Sequence, residues 1–233
     1  MGVRINKYIA SSGFCSRRQA DELVETGKVT VDGVTAVNGT VVEEGQVVKV
    51  GDKEVIPEDN KIYIALHKPL GITCTTDRRD PSNIIDYLGM DDRVFPIGRL
   101  DKNSSGLILL TNDGDIVNKL LRAENGHEKE YQVRVDRKIE PGFKDKMEEG
   151  IEILGQKTLP CKVTITGTHT FNIVPKQGLN RQIRRMCDAL GYRVTKLRRI
   201  RFININLGDM RPGDRRNLTK EEIRGLKSSD KAD

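Results

Sequence analysis

Ile5, Tyr8 and Ile9 recur at i, i+3 and i+4 within RINKYIAS, residues 4–11, the spacing of one helix face. Gly13 interrupts that period, and SRRQADELVETG then restores it with Ala20, Leu23 and Val24 as the apolar stripe. Ser16 suits the N-cap, Gln19 three residues on completes a capping box, and Gly27 ends the helix. The period then changes to β-prone runs in KVTV, VTAVNGTVV and QVVKV, with Asp32-Gly33 between the first two as a hairpin signal. These patterns predict a compact helix–helix–strand unit over residues 1–52. Residues 53–61 are polar, contain Pro57 and read as a linker.

A second domain is expected over 62–227. IYIALHKP is a strand with Ile62, Ile64 and Leu66 as its apolar positions, stopped at Lys68-Pro69-Leu70-Gly71. RRDPSNIIDYL reads as a loop and a short helix, LILLT (107–111) as a buried strand and NDGDIVNKLLR as the start of a helix. EKEYQVRV alternates, placing Tyr131, Val133 and Val135 on one face and Gln132 and Arg134 on the other. CKVTITGTHTFNIVP is a hairpin, and NRQIRRMCDALG a helix with Asn180 as N-cap and Gly191 after its end. YRVTKLRRIRFININL is mostly strand, and residues 228–233 read as a disordered tail. Hairpin-joined strands predominate, so the expected class is α+β with a mainly antiparallel mixed sheet.

Composition narrows the function. Apolar residues make up 36% and charged residues 32%, with no Trp. No apolar run approaches the roughly 18 residues of a membrane span. MGVRINKYIASSGF lacks the apolar core of a secretory signal, so a cytoplasmic protein is expected. Cys15, Cys74, Cys161 and Cys187 are far apart and the histidines are only three, so reduced thiols are expected and no metal site. Charge is concentrated: between Arg181 and Arg201 eight cations accompany the single acid Asp188, giving +7 in a chain whose total is +6. Such a run fits a polyanion partner, and nucleic acid before others. Lys7, Arg17, Arg18 and Lys28 add a second basic group around the two N-terminal helices, with Arg17 and Arg18 at a helix start that already favours anions.

The stretch GRLDKNSSGLILL, 98–110, places one acid, Asp101, between Arg99 and Lys102. Cations nearby keep a carboxylate ionised and able to act as a nucleophile. DKNSS is equally turn chemistry, and on the residues alone a turn-capping aspartate is the stronger reading. Advancing about 100° per residue, Ile183, Met186, Cys187 and Leu190 share a helix face with Arg181 and Arg185 opposite. Arg184 falls on the flank. Two readings are open for it: an inward guanidinium needing an anionic partner such as Asp101, or a phosphate contact like its neighbours. Phosphate-loop, dinucleotide, H-E-x-x-H and G-x-S-x-G motifs do not occur.

GRLDKNSSGLILLTNDGD strongly resembles the catalytic motif of bacterial pseudouridine synthases that modify ribosomal RNA at single sites. ALHKPLGI, EKEYQV and GLNRQIRRMCDALGYRVTKLRRIRF resemble the family's other blocks in the same order, and the last is most similar to its F-type large-subunit branch. INKYIASSGFCSRRQADELVETGKVTVDG resembles the small RNA-binding domain shared with ribosomal protein S-four. The resemblance spans residues 3–225. It implies isomerisation of uridine to pseudouridine without metal or cofactor, with Asp101 as nucleophile attacking sugar or base. It further implies Tyr131 stacked on the uracil, Arg184 paired with the aspartate, Arg99 holding an extruded nucleotide, and Lys129 and Ile183 shaping the pocket. With the basic segments, Asn180, Arg181, Gln182 and Arg185 would contact the RNA. The implied partner is large-subunit ribosomal RNA, with transfer RNA possible, and the implied state a monomer. Asn103-Ser104-Ser105 stands where other members often carry acidic or threonine residues. Two alternatives remain at this point: a non-catalytic RNA-binding or ribosome-assembly protein, and an aspartyl-phosphate phosphotransferase.

Overall fold

A computed structural model describes residues 2–121 and 127–228, and its contacts divide them into two units, built mainly on residues up to 62 and from 63 onward. The first holds β1 (Val3–Arg4), α1 (Ile5–Ser11), α2 (Arg17–Glu25), β2 (Val29–Val31), β3 (Val34–Thr35), β4 (Val41–Val42), β5 (Val48–Val50) and β6 (Lys53–Glu54). Its core gathers Ile5, Ile9, Ala20 and Val24 from the helices with Val29, Val31, Val42, Val48 and Val50 from the strands. The capping box forms: Ser16 Oγ accepts from Gln19 N–H at 3.2 Å, and Gln19 Oε1 accepts from Ser16 N–H at 3.0 Å. Asp32 and Gly33 both adopt positive φ, 50° and 82°, closing the two-residue turn between Val31 and Val34. The linker starts later than residue 53. Lys53–Glu54 pair with β5, and Val55 is buried with its N–H donating to Val48 O, so the strand's alternation carries through residues that are polar in composition.

The second unit contains β7 (Tyr63–Lys68), α3 (Ile84–Leu88), β8 (Phe95–Ile97), β9 (Ser105–Thr111), α4 (Gly114–Leu121), β10 (Lys129–Val135), α5 (Phe143–Glu149), β11 (Glu152–Ile153), β12 (Gln156–Lys157), β13 (Lys162–Gly167), β14 (Thr170–Val174), α6 (Gln182–Ala189), β15 (Val194–Phe202), β16 (Ile205–Asn206), β17 (Arg215–Asn217) and α7 (Lys220–Ser228). One sheet runs β13-β14-β10-β15-β9-β7-β17, with β16 on β15 and β8 on β9. Its pairings are antiparallel except β15 with β9, so the expected α+β class with a mainly antiparallel mixed sheet is the one found.

Two cores flank this sheet. One packs Val133, Phe171 and Ile173 against Phe143 and Met147 of α5 and Ile183, Met186 and Cys187 of α6. The other joins Tyr63, Ala65, Leu107 and Leu109 to Ile116 and Leu120 of α4 and Leu226 of α7. Strand β7 departs from the alternation read in its sequence: every residue from Tyr63 to Lys68 is buried, because it lies between β9 and β17 and is covered on both faces. α5 and α7 were not legible as helices, being short and rich in charge. Ser228 closes α7, its Oγ donating to Gly225 O, and the rest of the expected tail lies outside the described residues.

The parallel contact between β9 and β15 is only two residues long, Ser105 with Arg198 and Gly106 with Arg199. Gly106 has φ 109°, and a Cβ there would lie 2.2 Å from Arg199 O. Gly106→Ala should therefore destabilise the fold by more than about 2 kcal/mol, read as a lowered urea midpoint; an unchanged midpoint would refute the close approach.

Candidate active site

Asp101 lies in the turn that leads into β9. Ser104 N–H donates to Asp101 O at 2.9 Å, and the carboxylate is exposed. The turn is held from three directions. Leu100 N–H donates to Cys74 Sγ (3.3 Å), Gly71 N–H to Lys102 O (2.9 Å), and the Arg184 amino group NH2 to Asn103 O (2.7 Å) and Ser104 Oγ (3.3 Å). Arg184 NH1 also donates to Val194 O at 3.2 Å, so one guanidinium ties α6, the start of β15 and the Asp101 turn together.

The inward flank position of Arg184 is therefore present, but the direct Asp101–Arg184 ion pair is not among the hydrogen bonds it makes. Its contacts go to the turn's backbone and to Ser104, which is 1% exposed. Its Nε is buried without a hydrogen-bond partner. Burial pushes the guanidinium's pKa down, nearby Arg181 adds to this, and the charges of Asp101 and Asp188 oppose it.

A cleft of about 440 Å³ opens over this turn. Asp101, Arg99, Lys129, Tyr131, Arg181, Gln182 and Ile183 line it, together with Ser104, Leu197, Arg199 and Phe202. Seven of the residues singled out in the sequence thus meet at one place. Asn180 and Arg185 do not: Arg185 Nε and NH2 donate to Asn180 O and Oδ1, at 3.0 and 3.2 Å. Asn180 is also not the N-cap of α6. Arg181 takes that position with φ 49°, and Gln182 Oε1 accepts from Leu179 N–H instead. The left-handed residue turns the chain one position later than the Asn suggested. Lys7, Arg17, Arg18 and Lys28 belong to the first unit, where Arg17, Arg18 and Lys28 are exposed and Arg17 begins α2.

The basic run does not act as one surface. Arg199 is 2% exposed; its Nε donates to Leu107 O at 2.6 Å and its guanidinium lies 5.6 Å from the centre of the Phe202 ring. Arg201 is paired with Glu128 at 2.9 Å and Glu130 at 3.1 Å. Lys129 Nζ approaches Phe202 from 5.8 Å, and burial, then Arg199, push its pKa down. Sequence reading missed Arg199 as a cleft residue, and Lys68 altogether. Lys68 is fully buried, its Nζ donating to Pro69 O (2.9 Å) and Ile72 O (2.8 Å). Burial pushes its pKa down, while Cys74 and Asp101 hold it up. The only sequence signal for Lys68 is its place at the end of an apolar strand, before Pro-Leu-Gly.

Residues 62–189 match the family profile described as RNA pseudouridylate synthase, and residues 3–53 match the S4 domain. The chain belongs to the RNA pseudouridylate synthase family. This synthase is 50% identical over 223 residues to the dual-specificity RNA pseudouridine synthase RluF of Escherichia coli strain K12, covering 95% of this chain and 77% of that one. It is 35% identical over 235 residues to the ribosomal large subunit pseudouridine synthase B of Bacillus subtilis strain 168, covering 97% and 96%. A crystal structure of a pseudouridylate synthase matches with a TM-score of 0.70 and 28% identity over 96% of this chain and 99% of that one. The synthase family is one of enzymes, which removes the non-catalytic and phosphotransferase alternatives. Among the described residues no helix is long and apolar enough to cross a membrane.

Two outcomes test this geometry. Lysine keeps the charge of Arg184 but cannot span Val194, Asn103 and Ser104 together, so Arg184→Lys should lose about 1–3 kcal/mol in urea denaturation; a wild-type value would show that the turn holds itself. Burial pushes the Cys187 thiol of α6 up to about 12 and the Cys161 thiol up to about 11, from an ordinary 9.0. Between pH 9 and 11 the unfolded chain thus binds fewer protons than the folded one, and stability falls as pH rises. Removing one thiol with Cys187→Ala should flatten that fall by up to about 1.4 kcal/mol per pH unit. An undiminished slope in denaturation curves at pH 9 and 10.5 would count against it.

Proposed function

We propose that this synthase isomerises uridine to pseudouridine at specific sites of structured RNA, with large-subunit ribosomal RNA as its main substrate, and with Asp101 as the nucleophile. The observation that carries the reading is the cleft itself. Among the described residues that line it, Asp101 is the one carboxylate, in the company of Arg99, Lys129, Arg181 and Arg199, and Tyr131 lines the same cleft. A carboxylate open to the cleft suits a nucleophile, and a cleft lined by cations suits a nucleotide's phosphates.

In the reaction the bond from N1 to the sugar breaks, the uracil turns, and the bond to the sugar re-forms at carbon 5 with release of the Asp101 carboxylate; the carbon 5 proton leaves to water and N1 takes one from water. Asp101 attacks the anomeric carbon or the base. Tyr131 stacks on the uracil and assists loss of the carbon 5 proton. Arg184 positions Asp101 through the turn backbone. The target base leaves its stack to enter the cleft, at a cost of a few kcal/mol offset by phosphate contacts and stacking. Lys7, Arg17, Arg18 and Lys28 of the S4 domain supply phosphate contacts beyond the cleft. The name of the Bacillus subtilis relative, a large-subunit enzyme, supports ribosomal RNA, and that of the Escherichia coli relative, a dual-specificity enzyme, supports a second class of RNA, for which transfer RNA is the proposal. The synthase works as a cytoplasmic monomer.

Tritium release from RNA labelled at carbon 5 of uracil tests this directly, comparing large-subunit ribosomal, small-subunit ribosomal and transfer RNA. The wild type should release tritium from large-subunit RNA first. Asp101→Asn should lose at least about 10³-fold in rate while keeping RNA affinity within a few-fold. Substantial turnover by Asp101→Asn would end the nucleophile assignment.

A further inference from the structure

Strand β15 divides the basic run between two faces of the sheet. Arg199 and Leu197 lie opposite Tyr131 and Val133 of β10, on the cleft side. Alternation sends Lys196 and Arg198 to the other side, opposite Arg134 and Gln132. That second face is open: Arg134, Lys196 and Arg198 are exposed, and so are Lys162, Thr164 and Thr166 on the edge strand β13.

Arg134 and Lys196 are directly paired across the two strands. Like charges so placed destabilise an antiparallel ladder. Elsewhere on this face the sheet provides its own relief: Arg201 is held by Glu128 and Glu130, and Arg198 NH2 donates to Gln132 Oε1 at 2.6 Å. Among the described residues Arg134, Lys196 and Lys162 form no ion pair. Their neighbours across the strands, Thr170 beside Arg134 and Asn172 beside Gln132, are hydrogen-bonding side chains. With strands about 4.8 Å apart, the cations spread over four strands, about 14 Å. A spread of unpaired charge among hydroxyls and amides matches an extended phosphate backbone. A protein partner would call for an aromatic or apolar centre.

We propose that this open basic face is a second RNA-docking surface, holding the phosphate backbone of a segment of the substrate RNA other than the one whose uridine enters the cleft. The inference rests on RNA being the substrate, and adds that recognition is two-sided. Cleft and outer face lie on opposite sides of one sheet, so only an RNA long enough to reach round the sheet edge touches both.

The test uses a triple variant of exposed side chains, Arg134→Gln, Lys162→Gln and Lys196→Gln. Two RNAs are compared: a short hairpin bearing the target uridine, and a long ribosomal fragment containing the same hairpin. On the long RNA, kcat/KM for tritium release should fall about tenfold or more. The slope of log binding constant against log salt should shrink by about 2 to 3, as expected for three lost phosphate contacts. On the hairpin the loss should be at least fivefold smaller. Equal losses on both RNAs would mean general attraction and overturn the proposal. No loss on either would overturn it too, and leave the face to a protein partner. Binding of the long RNA is measured without turnover, so failure of wild-type catalysis on the hairpin, which would strike the isomerase reading, is read separately from failure of the docking surface.

Discussion

The second unit depends on one close approach, the crossing of β9 by β15 at Gly106 and Arg199. It is the single parallel step in a sheet otherwise antiparallel, and it joins the β7–β9–β17 half to the β10–β13–β14 half. Each half has its own helices and its own core. The cleft forms where the halves meet, because the Asp101 turn enters β9 from one half and Tyr131 stands on β10 in the other. Glycine at 106 is what lets the two backbones come close enough.

The cleft's electrostatics follow from the same junction. Arg199 must cross beneath the cleft to satisfy Leu107 O, and Lys68 ends the neighbouring strand with its ammonium turned to two turn carbonyls. Neither has a carboxylate partner in those contacts. Carbonyl oxygens thus fix both side chains near the space of the cleft. Asp101 sits in that space on a turn whose backbone is bonded on several sides, so its position is fixed by groups that do not neutralise it. Arg184 illustrates the division: it supports the turn, while the carboxylate stays open to the cleft.

Local chemistry was legible in the sequence, and contacts across the chain were not. The Ser16–Gln19 box, the Asp32-Gly33 turn and the alternation of EKEYQVRV are decided within a few residues, and each formed as read. The flank position of Arg184 was equally local, and correct. Its partners were not local: Asn103 and Ser104 are about eighty residues away, and no periodicity names them. The eight cations between Arg181 and Arg201 were legible as a sum, but alternation and pairing gave them different surroundings, with Arg199 inside and Arg201 neutralised. Arg181 took the cap position from Asn180 because the chain enters α6 through a left-handed residue, a conformation for which the sequence offers no glycine as a sign. Within Asn103-Ser104-Ser105, the buried Ser104 hydroxyl accepts from Arg184, a contact that no local pattern foretold.

The junction also sets an order of events during synthesis. The helices and hairpins of the first unit close over short stretches of chain and can form as soon as they are made. The Asp101 turn cannot be completed then. Arg184 NH2 bonds to a carbonyl 81 residues behind it, and Arg199 Nε to one 92 residues behind. Until those segments emerge, Leu107, Ile108, Leu109 and Leu110 form an apolar strand without its parallel neighbour, a segment open to misassembly. The nascent chain therefore carries a folded RNA-binding module for some time before it carries a working site.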